Sequence, residues 1–258
     1  MITKAQIKFV RSLDDKSHRD ESGCFLVEGD KLVREALVLP KGGRLRVQSI
    51  FGVGEWLASN QIDTIASDVE ITQVTGRELE RLSLQKNPNQ VLAVISRDQK
   101  YLPSFDFAAD LLIGLFQVQD PGNVGTIIRL ADWFGLGGVI ATADSADFFS
   151  PKVVQASMGS VFRVKLLTSD LQSFIRSLPK KCPVFGTHQD GESVYSGEIS
   201  TNGLILFGNE STGLSPDLLA NTEKNLKIPE FSSALPKPQS LNVSIAAAII
   251  CSEFRRRG

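Results

Sequence analysis

The last fifth of the chain holds the feature that most constrains its fold: two short apolar strands that each end in a loop, and an alanine-rich helix. The first strand, residues 204–207, leads into the sequence GNESTG at 208–213. The second ends at Ile228-Pro229, and Ser240-Leu241-Asn242 opens the helix. If the two strands are neighbours in a parallel sheet, both loops leave the same edge, where α/β proteins place their ligands.

Apolar runs alternate with helical patterns along the chain, which predicts an α/β fold. Residues 1–97 are interpreted as a small α/β domain, 98–110 as a linker, and 111–258 as a second domain. The second domain should contain a largely parallel sheet with helices on both faces, because its apolar runs are short and separated by helical patterns. The predicted strands are 24–27, 47–53, 63–66, 70–74, 91–95, 111–116, 138–142, 161–167, 183–187, 204–207 and 226–229, and the predicted helices of the first domain are 4–13, 31–39, 55–59 and 76–84.

Composition excludes several classes of protein. The chain has 258 residues and three widely spaced cysteines, so neither a disulfide framework nor a zinc site is expected. Two histidines argue against a multi-histidine metal centre, and no metal is expected. We find no apolar run that could span a membrane and no signal peptide, so a cytoplasmic protein without membrane partners is expected.

The second domain opens with a turn at the end of its first strand. Pro121-Gly122 forms the turn, and Asn123 is predicted to be the N-cap of the following helix. The apolar stripe of this helix is Val124, Ile127, Ile128, Ala131 and Phe134. Arg129 falls on the opposite side, so it is free to face a cleft or solvent.

The two later loops offer mainly backbone groups. GNESTG lacks the lysine of a phosphate-binding Walker loop, and its one carboxylate is Glu210. The helix that follows Asn242 carries Val243, Ala246, Ala247, Ile250 and Phe254 along one stripe and three arginines at its end. Those arginines suit the negative end of the helix dipole.

Charge is unevenly distributed although the net charge is only −1. Lys4, Lys8 and Arg11 lie at helical spacing on one face of the first predicted helix. Such a face is either solvated or a binding surface for nucleic acid.

Three stretches in this order resemble the motifs of the SpoU (TrmH-like) branch of the SPOUT RNA methyltransferases. They are DPGNVGTIIRLADWFG at 120–135, LFGNESTGL at 206–214 and IPEFSSALPKPQSLNVSIAAAI at 228–249. In addition, FLVEGDKLVREAL at 25–37 and PNQVLAV at 88–94 are similar to the ribosomal-protein-like substrate-binding domain that many members carry. The resemblance therefore covers nearly the whole chain.

The resemblance implies an enzyme that methylates a ribose 2′-OH of RNA with S-adenosylmethionine and that acts as a homodimer. The expected substrate is rRNA in preference to tRNA. It also implies a trefoil knot in the C-terminal segment. By the same resemblance Arg129 is the catalytic residue, assisted by Asn123, Glu210 and Asn242. The implied cofactor-binding residues are Leu206, Gly208, Ile228, Ser240 and Leu241. The proposed RNA-binding residues are Lys4, Lys8 and Arg11.

Two other functions stay open at this point. One is a non-catalytic RNA-binding factor for ribosome assembly that retains the fold. The other is an α/β enzyme for a small molecule, which the slightly acidic pI of about 6.2 allows.

Overall fold

The computed structural model describes residues 2–60, 69–197, 199–231 and 240–257. The predicted strand 63–66 lies outside these residues. The chain forms two compact units: Met1–Tyr101 with Asp147–Phe162, and Leu102–Ala146 with Arg163–Gly258. In the described residues no helix is long and apolar enough to cross a membrane.

The first unit is built on a four-stranded sheet. Its strands are β1 (Cys24–Glu28), β2 (Leu45–Val53), β3 (Glu70–Val74) and β4 (Val91–Arg97), in the order β1-β4-β2-β3. Its helices are α1 (Lys4–Ser12), α2 (Lys16–Ser22), α3 (Asp30–Leu37), α4 (Gly54–Ser59) and α5 (Gly76–Leu82). Val10 and Leu13 are fully buried in the core of this unit, as the apolar spacing of α1 predicts.

Helix α2 was not predicted because its sequence, KSHRDES, has no apolar stripe. Asp15 caps its first turn by accepting a hydrogen bond from the Ser17 amide, and Gly23 ends it in a left-handed conformation. Arg19 is buried and donates to Asp147 at 2.6 Å and to the Leu13 carbonyl at 2.8 Å. Packing of this polar helix therefore depends on a buried cation with several partners.

Residues 147–162 belong to the first unit by their contacts. They form helix α6 (Pro151–Ser157) and a 3₁₀ turn, Ser160–Phe162. The ring of Phe149 lies 4.8 Å from that of Phe25 in β1, and Arg44 donates to the Val161 carbonyl at 3.1 Å.

The second unit contains a six-stranded sheet that is parallel throughout, which confirms the predicted architecture. In the order β10-β8-β9-β5-β6-β7, its strands are β10 (Lys224–Lys227), β8 (Val184–Ser193), β9 (Gly203–Phe207), β5 (Leu111–Leu115), β6 (Gly138–Ala141) and β7 (Leu166–Thr168). Its helices are α7 (Pro121–Trp133), α8 (Leu171–Ser177), α9 (Pro216–Leu219) and α10 (Val243–Arg257).

Two strand predictions need correction. Strand β8 lies between β9 and β10, so the two strands that were considered as possible neighbours are separated. The loops still leave the same edge, because all three strands run parallel. The predicted strand 161–167 is also wrong, since residues 160–162 form the 3₁₀ turn and β7 begins at Leu166.

Two helix starts also differ from prediction. The N-cap of α7 is Asp120, which accepts a hydrogen bond from the Asn123 amide at 2.8 Å, so Asn123 lies in the first turn. The helix predicted at 31–39 starts one residue earlier, at Asp30, and its N-cap is Gly29. Asp120 and Asn123 are both of residue types that commonly cap helices, but only the Asp120 side chain accepts from an amide of the first turn of α7.

Helix α10 packs against α7. Four of the five predicted stripe residues, Val243, Ala247, Ile250 and Phe254, are buried, while Ala246 is half-buried. At the end of the helix Arg255 donates to the carbonyls of Phe134 and Gly135 at 2.8 and 2.7 Å. Arg255 thereby satisfies carbonyl groups at the C-terminus of α7.

Candidate active site

The three motifs follow parallel strands whose carboxyl ends lie at one edge of the sheet. The first motif follows β5, the second follows β9, and β5 pairs directly with β9. Gly208 comes after β9 and Ile228 after β10, at the same edge of the sheet. This edge is where open α/β sheets bind ligands.

A chain of hydrogen bonds links one residue from each motif. Asn123 Nδ2 donates to Glu210 Oε1 at 2.7 Å, and Asn242 Nδ2 donates to Asn123 Oδ1 at 2.9 Å. Asn242 Oδ1 in turn accepts from the Ser244 hydroxyl at 2.6 Å and caps the start of α10 by accepting from the Ser244 amide. The three polar residues named from the sequence are therefore in direct contact.

Asn209 shapes the loop of the second motif. Its Oδ1 accepts from the amides of Ser211 and Thr212 at 2.9 and 3.2 Å, and its Nδ2 donates to the Gln117 carbonyl at 2.9 Å. Asn209 was not among the site residues predicted from the sequence. Its position between Gly208 and Glu210 was the available signal, because asparagine side chains bond locally in tight loops.

Gln117 has an unusual backbone conformation, with φ at 54°. Its amide donates to Thr142 Oγ1 at 3.0 Å, and its carbonyl accepts from Asn209. A left-handed conformation is unfavourable for a residue other than glycine and persists when its surroundings hold it. Here contacts from the loops after β6 and β9 hold it on both sides.

Arg129 is exposed and makes no hydrogen bond or ion pair to a described residue. It lies six positions after Asn123 on α7, which is about 240° around the helix and about 9 Å along it. Within one chain, therefore, α7 directs Arg129 away from the hydrogen-bonded chain of Asn123, Glu210 and Asn242.

The implied cofactor residues offer free main-chain groups. Gly208, Ile228 and Leu241 make no main-chain hydrogen bonds to the part of the chain that the structure describes. A Cβ atom at Gly208 would collide with the main chain of Gly213 and Leu214, so the loop closes only around glycine. Leu206 is buried in β9, whereas Ser240 is exposed. Unpaired amides and carbonyls can hydrogen-bond to the donor and acceptor groups of an adenine ring.

The position of β8 brings Thr187, which was not predicted from the sequence, next to β9. Strand β8 lies between β9 and β10, and its pairing with β9 ends at Gly186. Thr187 follows this stretch of pairing and donates to the Leu206 carbonyl at 2.9 Å. Only the strand order reveals this residue, since nothing in the local sequence marks it.

The proposed RNA-binding residues lie on α1 in the first unit. Lys4 and Lys8 are exposed and have no hydrogen bond or ion pair with described residues. Arg11 Nη1 instead donates to the carbonyls of Ser83 and Arg81 at 3.1 and 3.5 Å. Arg11 thus contributes to the fold of its unit. No cluster of metal-ligating side chains is found within the described ranges.

Comparison with known proteins gives the family. The SpoU rRNA Methylase family matches residues 110–252, which is more than half of the chain. The chain belongs to the SpoU rRNA methylase family. An MRM3-like substrate binding domain matches residues 4–93 of this SpoU family member.

Relatives of this SpoU family member extend over its full length. It is 30% identical to the 23S rRNA (guanosine(2553)-2′-O)-methyltransferase of Bacillus subtilis, over 97% of this chain and 96% of that protein. A TrmH-family protein from Porphyromonas gingivalis has a similar structure, with 36% identity, a TM-score of 0.86 and complete coverage of both chains. An rRNA methyltransferase from Sinorhizobium meliloti with bound AdoMet is 30% identical with a TM-score of 0.82, over 99% and 96% of the two chains.

Proposed function

We propose that this SpoU family member transfers a methyl group from S-adenosylmethionine to a ribose 2′-OH of ribosomal RNA and that it acts as a homodimer. The observation that carries this proposal is the hydrogen-bonded chain of Glu210, Asn123 and Asn242 beside the free main-chain groups of Gly208 and Ile228. The Bacillus subtilis relative is named for the same reaction on 23S rRNA, and the Sinorhizobium meliloti relative binds AdoMet.

The bound cofactor would supply a methyl group already activated by its sulfonium. The protein must therefore position the ribose hydroxyl, which is a weak nucleophile without assistance. Arg129 is assigned this role: its guanidinium orients the 2′-OH and the adjacent phosphate through its fork of donors. Glu210, Asn123 and Asn242 hold the three loops in one arrangement so that little reorganisation is needed on binding.

The outer face of α7 supports the proposal of a homodimer. Trp133 lies one turn after Arg129 and is 82% exposed, and Ile245 on the neighbouring helix α10 is 52% exposed. Exposed aromatic side chains of this size are enriched at interfaces between proteins. A second copy on this face would receive Arg129, which points away from the polar residues of its own chain.

The central experiment measures methyl transfer to rRNA from a strain that lacks the gene. We expect Arg129→Ala to lower transfer at least about 100-fold, while calorimetry shows unchanged affinity for S-adenosylmethionine. Arg129→Lys should not restore the rate, because an ammonium cannot replace a planar fork of donors. Arg176→Ala is the matched control, because that exposed arginine bonds only within its own helix, to Gln172.

Co-expression tests whether the two copies share a site. If Arg129 acts on the partner, a mixture of Arg129→Ala and Glu210→Ala chains forms mixed dimers with one intact site and regains part of the activity. Methyl transfer by Arg129→Ala alone would contradict the assigned role. Failure to bind S-adenosylmethionine would instead favour a non-catalytic RNA-binding factor.

A further inference from the structure

The first unit contains a cavity of about 410 Å³ that the proposed catalytic site does not use. It is lined by the end of β2, by α5 and by the loop that precedes β4. Leu79 and Val53 provide apolar surface on one side, and Pro88 provides it on the loop. Its volume lies in the range of about 300–1,000 Å³ that is typical of small-ligand sites.

Three polar side chains that line the cavity have no partner within the described chain. They are the carboxylate of Glu80 and the side-chain amides of Asn87 and Gln90. All three residues are exposed. They can therefore exchange water for a ligand without losing an internal hydrogen bond.

The loop that carries two of these residues is held in place by its main chain. Gln90 accepts a hydrogen bond from the Val53 amide at 3.0 Å through its carbonyl, and its own amide donates to Asn89 Oδ1 at 2.7 Å. The position of Gln90 is thus tied to the end of β2. A fixed loop lowers the entropic cost of ordering these side chains around a ligand.

Two cations flank the lining residues in sequence. Arg77 follows Gly76, which lines the cavity, and Lys86 precedes Asn87. Both are exposed and have no ion pair with described residues. Basic side chains that meet phosphates and polar side chains that meet base edges are features of surfaces that bind single-stranded RNA.

A carboxylate distinguishes the bases by the N–H donors that their edges present. Guanine alone presents two adjacent N–H donors, N1 and N2, on its Watson–Crick edge, next to the O6 acceptor. Glu80 can accept from both donors, and an amide of Asn87 or Gln90 can donate to O6. We propose that this cavity binds one unpaired guanine of the RNA substrate; this rests on the proposed function, which makes RNA the substrate.

The test compares single-stranded RNA oligomers of uridine that carry one central guanosine, inosine or adenosine. Fluorescence anisotropy with the full chain should show that guanosine is bound about tenfold more tightly than inosine, because inosine lacks the 2-amino group that donates to a charged acceptor. Glu80→Gln should reduce this preference to less than twofold. Gln90→Ala should weaken all guanosine binding.

Glu55→Gln is the matched control, since Glu55 is exposed on α4 and does not line the cavity. It should keep the full preference for guanosine. Equal affinities for guanosine and inosine in the unchanged protein would overturn the proposal, and so would a preference that survives in Glu80→Gln. All variants should keep their melting temperature and their affinity for S-adenosylmethionine.

Methyl transfer separates this proposal from the proposed function. Transfer to rRNA without a preference for guanosine would overturn the cavity assignment alone. A preference that depends on Glu80, without transfer to any RNA, would support the cavity and contradict the enzymatic function.

Discussion

Asn209 Nδ2 donates to the Gln117 carbonyl at 2.9 Å and so joins the loop of the second motif to the residue with positive φ that follows β5. We predict that Asn209→Asp lowers the rate of methyl transfer about tenfold or more and weakens cofactor binding. The aspartate can still accept from Ser211 and Thr212, but it cannot donate to a carbonyl and would repel it. Transfer kinetics and calorimetry with S-adenosylmethionine measure both effects.

Asn202→Asp is the matched control for this prediction. Asn202 Nδ2 also donates to a backbone carbonyl, that of Phe107, at 2.9 Å. It lies at the opposite end of β9, away from the site. If both variants lose activity equally, the effect comes from stability and the positioning role of Asn209 is contradicted.

The sequence predicted much of the fold because most elements have a regular apolar pattern. The parallel sheet of the second unit and helix α1 follow from such patterns. Helix α2 could not be predicted in this way, since it is stabilised by Asp15, Gly23 and the buried Arg19 instead of an apolar stripe. The order of β8, β9 and β10 in the sheet could not be predicted from local patterns either, because it depends on long-range pairing.

The candidate site was predictable in part. Asn123, Glu210 and Asn242 were identified by resemblance, and the structure places them in contact. Thr187 could be identified only from the strand order, whereas the tight loop that contains Asn209 was a signal present in the sequence. Ile228 and Ser240 lie within the described residues, whereas residues 232–239 of the third motif do not, and the implied knot stays a prediction.

The exposed face of α7 leads to a prediction about assembly. Trp133→Glu should convert a dimer into a monomer at micromolar concentration, because a buried interface tryptophan contributes about 2 kcal/mol or more, equivalent to at least about 30-fold in affinity. Analytical ultracentrifugation measures the change. Leu102→Glu is the control: it is 80% exposed and lies outside α7 and α10. A dimer that persists in Trp133→Glu would place the interface elsewhere.

The three basic residues of α1 should behave differently from one another. Replacing Lys4 and Lys8 with Gln should weaken RNA binding and lower the slope of log affinity against log salt by about 1.4 to 1.8, as expected for two lost phosphate contacts. Arg11→Ala should instead lower the free energy of unfolding by about 1 kcal/mol, because it loses its bonds to the Ser83 and Arg81 carbonyls. An unchanged salt slope in the double lysine variant would show that neither Lys4 nor Lys8 contacts RNA phosphates.

Glu253 leads to a prediction about acid stability. Its carboxylate accepts from Arg256 at 2.7 and 2.8 Å and from Arg257 at 2.6 Å, and the hydrogen bond from Arg256 is the main cause that lowers its pKa to about 2. Since this pKa is below the ordinary glutamate value of 4.5, the carboxylate stabilises the fold above about pH 4.5. That contribution is lost as the pH falls from 4.5 towards 2.

Urea unfolding of Glu253→Gln and the unchanged protein between pH 6 and pH 3 measures this contribution. The variant should be less stable at pH 6, and the difference should shrink as the pH falls below 4.5. Glu192→Gln is the control, because Glu192 is exposed and its nitrogen partner on Lys224 is 3.9 Å away, so little stability depends on it. A difference for Glu253→Gln that is constant with pH would show that its ionisation is not coupled to folding. The loss of stability would then come from the packing of Glu253 at the end of α10. There Arg257 also donates to the Val194 carbonyl at 3.1 Å, which joins the helix to the residue after β8.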